Sequence, residues 1–419
     1  MKSVTTGAWR SIVLLLLGAG LILAGVSLFQ TLLPLRASRE AFSTSFIGIL
    51  GTTYFAGFAI GCIVGPGLVR VVGHIRAFAG IAALLAALVL VFPLLIAPTS
   101  WAVLRFLTGA CLAISFMVIE SWLNDTVSNE VRGSILSIYI IVANVATMAG
   151  QLAINVAPIS GPILFMIVTG LVSLSVVPLA LTPIDEPTPI PVARLDLRGL
   201  FAVSPVGTVG CLLVGAAEGA FWTLGPLFGQ LRGMSTAEVT LLMAAFVLGG
   251  TISQWPLGRI SDFRDRRVVI LLTALGTIVT GLLIAFWPFT GFATMIAIAV
   301  AHGALMIPLY ALCLAHANDH VPNERLVPVS SGLLLAYAVG AAVGPIVAAP
   351  FMSEDRSGSL FIFISVVLAL LSLFIAARLI WAAERERSDP GSFVPVPKTS
   401  QSVYELEVDD SEEQKSDEL

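Results

Sequence analysis

Four side chains able to carry charge sit inside apolar stretches of this sequence: Arg105, Glu120, Glu218 and His302. In apolar surroundings an ionised group must be paired or neutralised, so each needs a partner or a task. Glu218 lies 13 residues into the apolar run 205–229, among Gly215, Ala216, Ala217, Gly219 and Ala220. Burial disfavours the charged form of a carboxyl, which suits Glu218 to loading and unloading a proton. The alternative is a protonated acid that hydrogen-bonds as structural glue. Arg105 is either a fixed positive charge that tunes a nearby acid or holds an anion, or a side chain that snorkels to an interface. Glu120 follows it by 15 residues on the same run. On a helix that is about 22 Å and roughly 60° around the axis, so the two can share a cavity side without touching. His302 can titrate near neutral pH, or be a satisfied packing residue. These four are the candidates for proton coupling. Gln30, Asn144, Gln151, Trp222, Gln254 and Tyr337 are polar or amphipathic groups in the middle of other apolar runs. They are candidates to line a substrate cavity.

The elements that would position these groups follow from composition. The 419 residues are 57% hydrophobic and only 11% charged, whereas soluble domains carry about 25% charged residues. Too little charge remains to coat a water-facing surface. A soluble enzyme, a disordered chain, a disulfide scaffold and a basic nucleic-acid binder are excluded, and a protein with many membrane spans remains. A helix needs about 20 apolar residues to cross a bilayer. Twelve segments qualify: 11–33, 44–69, 77–97, 101–123, 134–156, 161–182, 205–229, 239–257, 268–289, 291–314, 328–351 and 359–380. Cys62, Cys111, Cys211 and Cys313 all fall within them and read as small buried hydrophobes. Nothing suggests a metal site, a cofactor or a disulfide.

An even number of spans puts both termini on one side. With that side cytoplasmic, 17 Lys and Arg residues fall inside and four, Arg36, Arg39, Arg232 and Arg356, fall outside. This asymmetry obeys the positive-inside rule. Net charge is −4 overall, but residues 382–419 hold 11 acids and four bases. The acidity belongs to this tail, which reads as a disordered cytoplasmic extension that cannot bury apolar area.

The chain repeats itself. Phe29-Gln30-Thr31-Leu32-Leu33-Pro34-Leu35 recurs as Phe221-Trp222-Thr223-Leu224-Gly225-Pro226-Leu227, and Gly57 matches Gly249 at the same offset of 192. At an offset of 194, Gly109 matches Gly303, Asn124-Asp125 matches Asn318-Asp319, and Gly150 matches Gly344. Residues 1–182 and 205–381 are thus two six-helix halves pointing the same way, joined by a cytoplasmic linker at 183–204. Gln30 and Trp222 are symmetry mates. Ser235 and Glu238 form a capping box that opens the eighth span.

Two parallel six-span halves are the arrangement of the major facilitator fold, with the substrate site between the halves near the midplane. The loop Gly258-Arg259-Ile260-Ser261-Asp262-Phe263-Arg264-Asp265-Arg266-Arg267 resembles that superfamily's signature: Gly, then Asp four later, then a basic pair. Phe263 and Asp265 depart from its pattern. Arg105-x-x-x-Gly109 resembles the fourth-span arginine motif. Gln254-Trp255-Pro256-Leu257-Gly258-Arg259, Val118-Ile119-Glu120-Ser121 and Ala216-x-x-Gly219-Ala220-Phe221 are similar to the YcaD-like branch of bacterial members. The resemblance covers about 1–381. It implies an all-α membrane protein of twelve transmembrane helices in two parallel, pseudo-symmetric bundles.

It also implies a multi-pass protein of the cell inner membrane, and a secondary active transporter rather than an enzyme. The expected cargo is a small organic solute, moved by alternating access and coupled to protons, with efflux favoured. A transporter-like receptor signalling through its acidic tail, or an uncoupled facilitator, is the alternative. Gly258, Arg259, Asp262, Arg266 and Arg267 form a cytoplasmic gate. Asp262 is suited to meet the exposed amides at the start of the fifth span, around Arg132-Gly133-Ser134, because the helix dipole favours negative charge there. The implied partners are the substrate, protons and the lipid bilayer, with no nucleic acid, and the chain is expected to be a monomer.

Overall fold

A computed structural model describes residues 6–126, 129–181, 197–286, 291–321, 325–381 and the pair 398–399; the side chains at 6–8, 10, 124–134, 197 and 381 lie outside the described residues. Apolar segments with no water to bond must close their backbone hydrogen bonds internally, and these do so as helices. The first half holds α1 Thr6–Arg39, α2 Thr44–Val72, α3 His74–Val91, α4 Pro98–Thr126, α5 Asn129–Leu152 and α6 Ile163–Ala180. The second holds α8 Pro205–Leu231, α9 Thr236–Phe263, α10 Arg266–Phe286, α11 Phe292–Met306 with α12 Pro308–Asn318, α13 Leu326–Ala348 and α14 Ser359–Trp381. Pro308 interrupts one span into α11 and α12. Twelve spans among the described residues are long and apolar enough to cross a membrane.

Several helices run past their apolar cores. The first begins at Thr6 and ends at Arg39, and the eighth-span helix continues to Phe263. Hydropathy marks only what lipid covers, whereas the hydrogen-bond ladder continues until a cap stops it. Ser235 supplies such a cap to α9. Its amide donates to Glu238 Oε2 at 2.8 Å, and its hydroxyl accepts from the Glu238 amide at 3.3 Å. A short helix, α7 Leu197–Val203, occupies the end of the stretch read as linker. Its Leu200 packs against Gly332 of α13, and Ser204 then caps α8 by accepting from the Gly207 amide at 3.1 Å.

The two halves use the same helix pairings. In the first, α1 packs on α5 and α6, α2 on α4, and α3 on α6; in the second, α8 packs on α13 and α14, α9 on α11, and α10 on α14. The repeated glycines sit at these crossings. A side chain on Gly57 would strike the Phe106 carbonyl, and one on Gly249 would strike that of Val300. Gly150 meets the Ala24 carbonyl as Gly344 meets that of Ala216. Backbones approach closely where only small residues permit it.

Each half also ties its first helix to the loop before its sixth. Arg36 donates to the Ile159 carbonyl at 2.9 Å and the Ser160 carbonyl at 2.5 Å. Arg232 donates to Ser357 Oγ at 2.6 Å and to the Ala285 carbonyl at 2.9 Å.

Candidate functional site

The halves meet at the end of the molecule away from the termini. There the Thr52 hydroxyl donates to the Ala342 carbonyl at 2.6 Å, and Asn155 Nδ2 donates to Thr240 Oγ1 at 2.9 Å. Gly48 lies against Pro345 and Ala349, and Gly51 against Thr223. Small residues at the start of α2 let α13 and α8 close over that end.

Below this seal lies a cavity of about 280 Å3. Gln30 of α1 and Asn144 of α5 line it from one half, and Glu218, Trp222, Gln254 and Tyr337 from the other. Five of the six polar groups singled out from sequence are therefore brought together. Gln151 is not. It is 1% exposed, about two turns beyond Asn144 on the same face of α5, where the halves close.

Glu218 is 1% exposed and sits at the centre of α8. It accepts from the Tyr337 hydroxyl at 2.9 Å and, unexpectedly, from Lys398 Nζ at 2.5 Å. Sequence reading supplied Arg105 as the available cation, and assigned Lys398 to a solvated tail. The structure corrects both at these residues. Arg105 is 4% exposed and does not snorkel: it donates to Gln30 Oε1 and lies over the ring of Tyr54 at 4.3 Å and of Phe29 at 5.2 Å. Buried aromatic faces attract a guanidinium strongly enough to hold it there. Arg105 thus reaches the cavity through Gln30.

Glu120 is fully buried near the terminus end of α4. It accepts from the Tyr139 hydroxyl at 2.7 Å and from Thr399. Lys398 and Thr399, both on the cavity wall, together bridge the two acids. The remainder of the tail lies outside the described residues.

His302 does not join this group. It is fully buried in the second half, within 2.9 Å of Thr280 Oγ1 at Nδ1, and the rings of Phe221, Phe246 and Phe361 surround it at 6.4, 5.8 and 5.3 Å. It faces the bundle core, where it packs.

The α9–α10 loop is a charged cluster. Arg266 pairs with Asp262 at 3.2 Å and with Asp319 at 2.7 Å, and Arg259 lies over the Trp255 ring at 5.5 Å. Gly258 is buried at the end of α9. Arg267 pairs with Asp265 at 2.8 Å. Burial alone would push the Asp265 carboxyl up, but the side-chain and backbone bonds from Arg267 outweigh it and hold the group below its ordinary range. The partner expected for Asp262, around 132–134, lies outside the described side chains.

Tyr54, Tyr139, Tyr310, Asp319, Lys398 and Thr399 were missed as site residues. Only Asp319 carried a usable signal, the repeat of Asn124-Asp125 as Asn318-Asp319.

Comparisons with known proteins agree with this geometry. The profile of the Major Facilitator Superfamily matches residues 15–237 and 207–407. The chain is 30% identical over 369 residues to the uncharacterized MFS-type transporter YcaD of Escherichia coli O139:H28 (strain E24377A / ETEC), covering 85% of this chain and 93% of that one. Among solved structures, the nucleoside transporter NupG superposes with a TM-score of 0.72 at 11% identity, covering 90% of this chain and 100% of that one. A bacterial homolog of the human lysosomal transporter Spinster, in an inward-facing and occupied conformation, gives 0.72 at 14% identity, covering 90% and 97%.

Proposed function

Because the chain belongs to the major facilitator superfamily, in its YcaD-like branch, we propose that it is a proton-coupled secondary transporter that expels a small organic solute from the cytoplasm. The observation that carries this reading is Glu218: a buried carboxylate at the centre of a span, on the wall of the cavity between the halves.

With the outer end sealed by Thr52, Ala342, Asn155 and Thr240, the cavity faces the side that the positive-inside rule assigns to the cytoplasm. A solute enters there, and Gln30, Asn144, Trp222 and Gln254 offer it hydrogen bonds and an aromatic face. Glu218 holds either a proton or a positive partner. Protonation removes the cost of a lone buried charge and lets the halves close around a neutral cavity. In the efflux direction the solute leaves on the far side from the deprotonated carrier. Glu218 takes up a proton there so that the emptied cavity can close, and that proton is released to the cytoplasm when the next solute enters.

In the resting carboxylate, Tyr337 supplies one hydrogen bond. Arg105, fixed on Gln30, raises the local positive potential of the first half without neutralising Glu218 directly.

Glu218→Gln mimics the protonated acid. It abolishes accumulation driven by an imposed pH gradient in reconstituted vesicles, while counterflow without a gradient persists. Full gradient-driven accumulation in this variant would move the proton carrier elsewhere.

A second reading, a transporter-shaped receptor signalling through its tail, draws on the seating of Lys398 and Thr399 in the cavity. Flux in vesicles containing the purified chain separates it from the first.

A further inference from the structure

The surroundings of Lys398 amount to a site for a positively charged nitrogen. Its Nζ lies 2.5 Å from Glu218 Oε2 and 3.3 Å from the Ile307 carbonyl. The rings of Tyr310 and Tyr337 lie 5.4 Å from it, each presenting a face, and these rings pack on one another with centroids 5.0 Å apart. Tyr337 serves twice, by its ring towards the ammonium and by its hydroxyl towards the carboxylate. A carboxylate, a carbonyl and two aromatic faces are what a desolvated ammonium needs, and nothing here suits an anion. Beyond it, Leu23, Phe55, Phe58, Phe116 and Val247 supply apolar wall beside the polar Gln30, Asn144 and Gln254. The open volume of about 280 Å3 is near the lower bound of ~300 Å3 for small-molecule pockets.

The occupant is part of the chain, and the sequence marks it. Residues 390–404 contain no acid, while the rest of 382–419 holds 11. This is the one stretch of the tail that an acidic cavity does not repel, and it carries Lys398. Sixteen residues separate Trp381 from Lys398. Fully extended they span about 55 Å, several times the ~15 Å from membrane face to midplane. Thr399 adds a second anchor on Glu120.

We propose that the cavity recognises an organic ammonium ion with an apolar or aromatic body, and that Lys398 occupies the site as a tethered competitor. The inference rests on the transporter reading for the meaning of the cavity, and adds the class of its cargo. A free ammonium must displace a lysine whose effective concentration is in the millimolar range. Solute at high cytoplasmic level displaces the tail; at low level the tail holds Glu218 and the carrier idles. Direct competition also explains why the acid-free stretch of the tail carries a lysine.

The test uses the full-length protein in lipid nanodiscs at fixed pH. Benzylammonium, benzyl alcohol and benzoate, one ring with three charge states, are titrated calorimetrically into the wild type and into Lys398→Gln. Lys398→Gln is expected to bind benzylammonium at least tenfold more tightly than the wild type, with benzyl alcohol and benzoate binding neither. Adding Tyr310→Leu to Lys398→Gln, which removes one ring and leaves every acid in place, loses most of that gain. Glu218→Gln in the same background falls back to the wild-type affinity, weak binding that still supports counterflow.

Equal affinity in wild type and Lys398→Gln overturns the tethered competitor. Binding of benzoate or benzyl alcohol as tight as that of benzylammonium, or no benzylammonium binding by either chain, overturns the ammonium site. If benzylammonium binds as expected but vesicles show no flux of it under a pH gradient, the transporter reading fails and the recognition site stands.

Discussion

Glu120 of α4 and Glu218 of α8 are both nearly inaccessible, at 0% and 1% exposure, and each accepts a bond from a tyrosine on the fifth span of a half, Tyr139 on α5 and Tyr337 on α13. The pairing is similar but the settings differ. Glu218 sits at the centre of its helix, beside two aromatic faces and an ammonium. Glu120 sits near a helix end and meets hydroxyl groups. A hydroxyl stands beside a buried acid in each half, although the acids sit on different spans of their halves, the fourth and the first. In the proposed function, depth and neighbouring rings assign Glu218 to handle charge at the midplane and Glu120 to guard the approach.

Beyond the loss of coupling expected for Glu218→Gln, the contrast is broken most directly at the tyrosines. A hydrogen bond to a charged group is worth ~1.5–3 kcal/mol. Tyr337→Phe should therefore cut gradient-driven accumulation about tenfold, and Tyr139→Phe by less than about threefold, since the proposed coupling path runs through Glu218. The reverse order, measured in vesicles, would exchange the roles of the two acids.

Arg105 sharpens the same contrast from the first half. Arg105→Lys keeps the charge but loses the planar fork that meets Gln30 and stacks on Tyr54. A fall in flux of about fivefold, from a loss of ~1 kcal/mol of cation–π and hydrogen-bond energy, is expected with counterflow intact. Unchanged flux would leave Arg105 a packing residue.

The spans were legible because lipid allows the backbone few options, so apolar length alone nearly specifies the helices. The glycine repeat was legible because close crossings tolerate no side chain, and Gly57, Gly109 and Gly150 with their mates occupy those crossings. The cavity wall was partly legible, since polar groups at mid-span have few other uses. The cage was not. Tyr310 and Tyr139 look like other large residues in apolar runs, and their contacts depend on how separate helices face each other. Lys398 joins an acid 180 positions away, and only the tertiary fold reveals that link. His302 failed as a candidate for the same reason: one imidazole on a helix does not say which face turns inward.

Smaller effects are expected where charge is better hydrated. Asp262→Asn removes a carboxylate paired with Arg266 at 3.2 Å and should slow flux about threefold, as a loss of ~0.6 kcal/mol would. Single cysteines on the terminus side should become more reactive in this variant; unchanged reactivity with normal flux would end the gate assignment. Asp265 gives the smallest effect. Its carboxyl is held below the ordinary range, so its contribution to stability is present at neutral pH and fades as the pH falls below the usual carboxylate range. Asp265→Asn should slightly flatten the acid limb of a thermal-unfolding profile. An unaltered limb would mean that Arg267 gains nothing from the pair.

The two ends of the molecule are built on different chemistry. At the end away from the termini, Thr52, Asn155 and small residues meet backbone and hydroxyl groups without a formal charge. On the terminus side, Arg266 gathers Asp262 and Asp319 into an ion cluster. Salt shortens the reach of exposed charges to about 8 Å at physiological strength and leaves neutral packing almost untouched. In the proposed cycle the charged end is therefore the one expected to respond to ionic strength, through Asp262, its most exposed member, while the neutral seal keeps much the same rate.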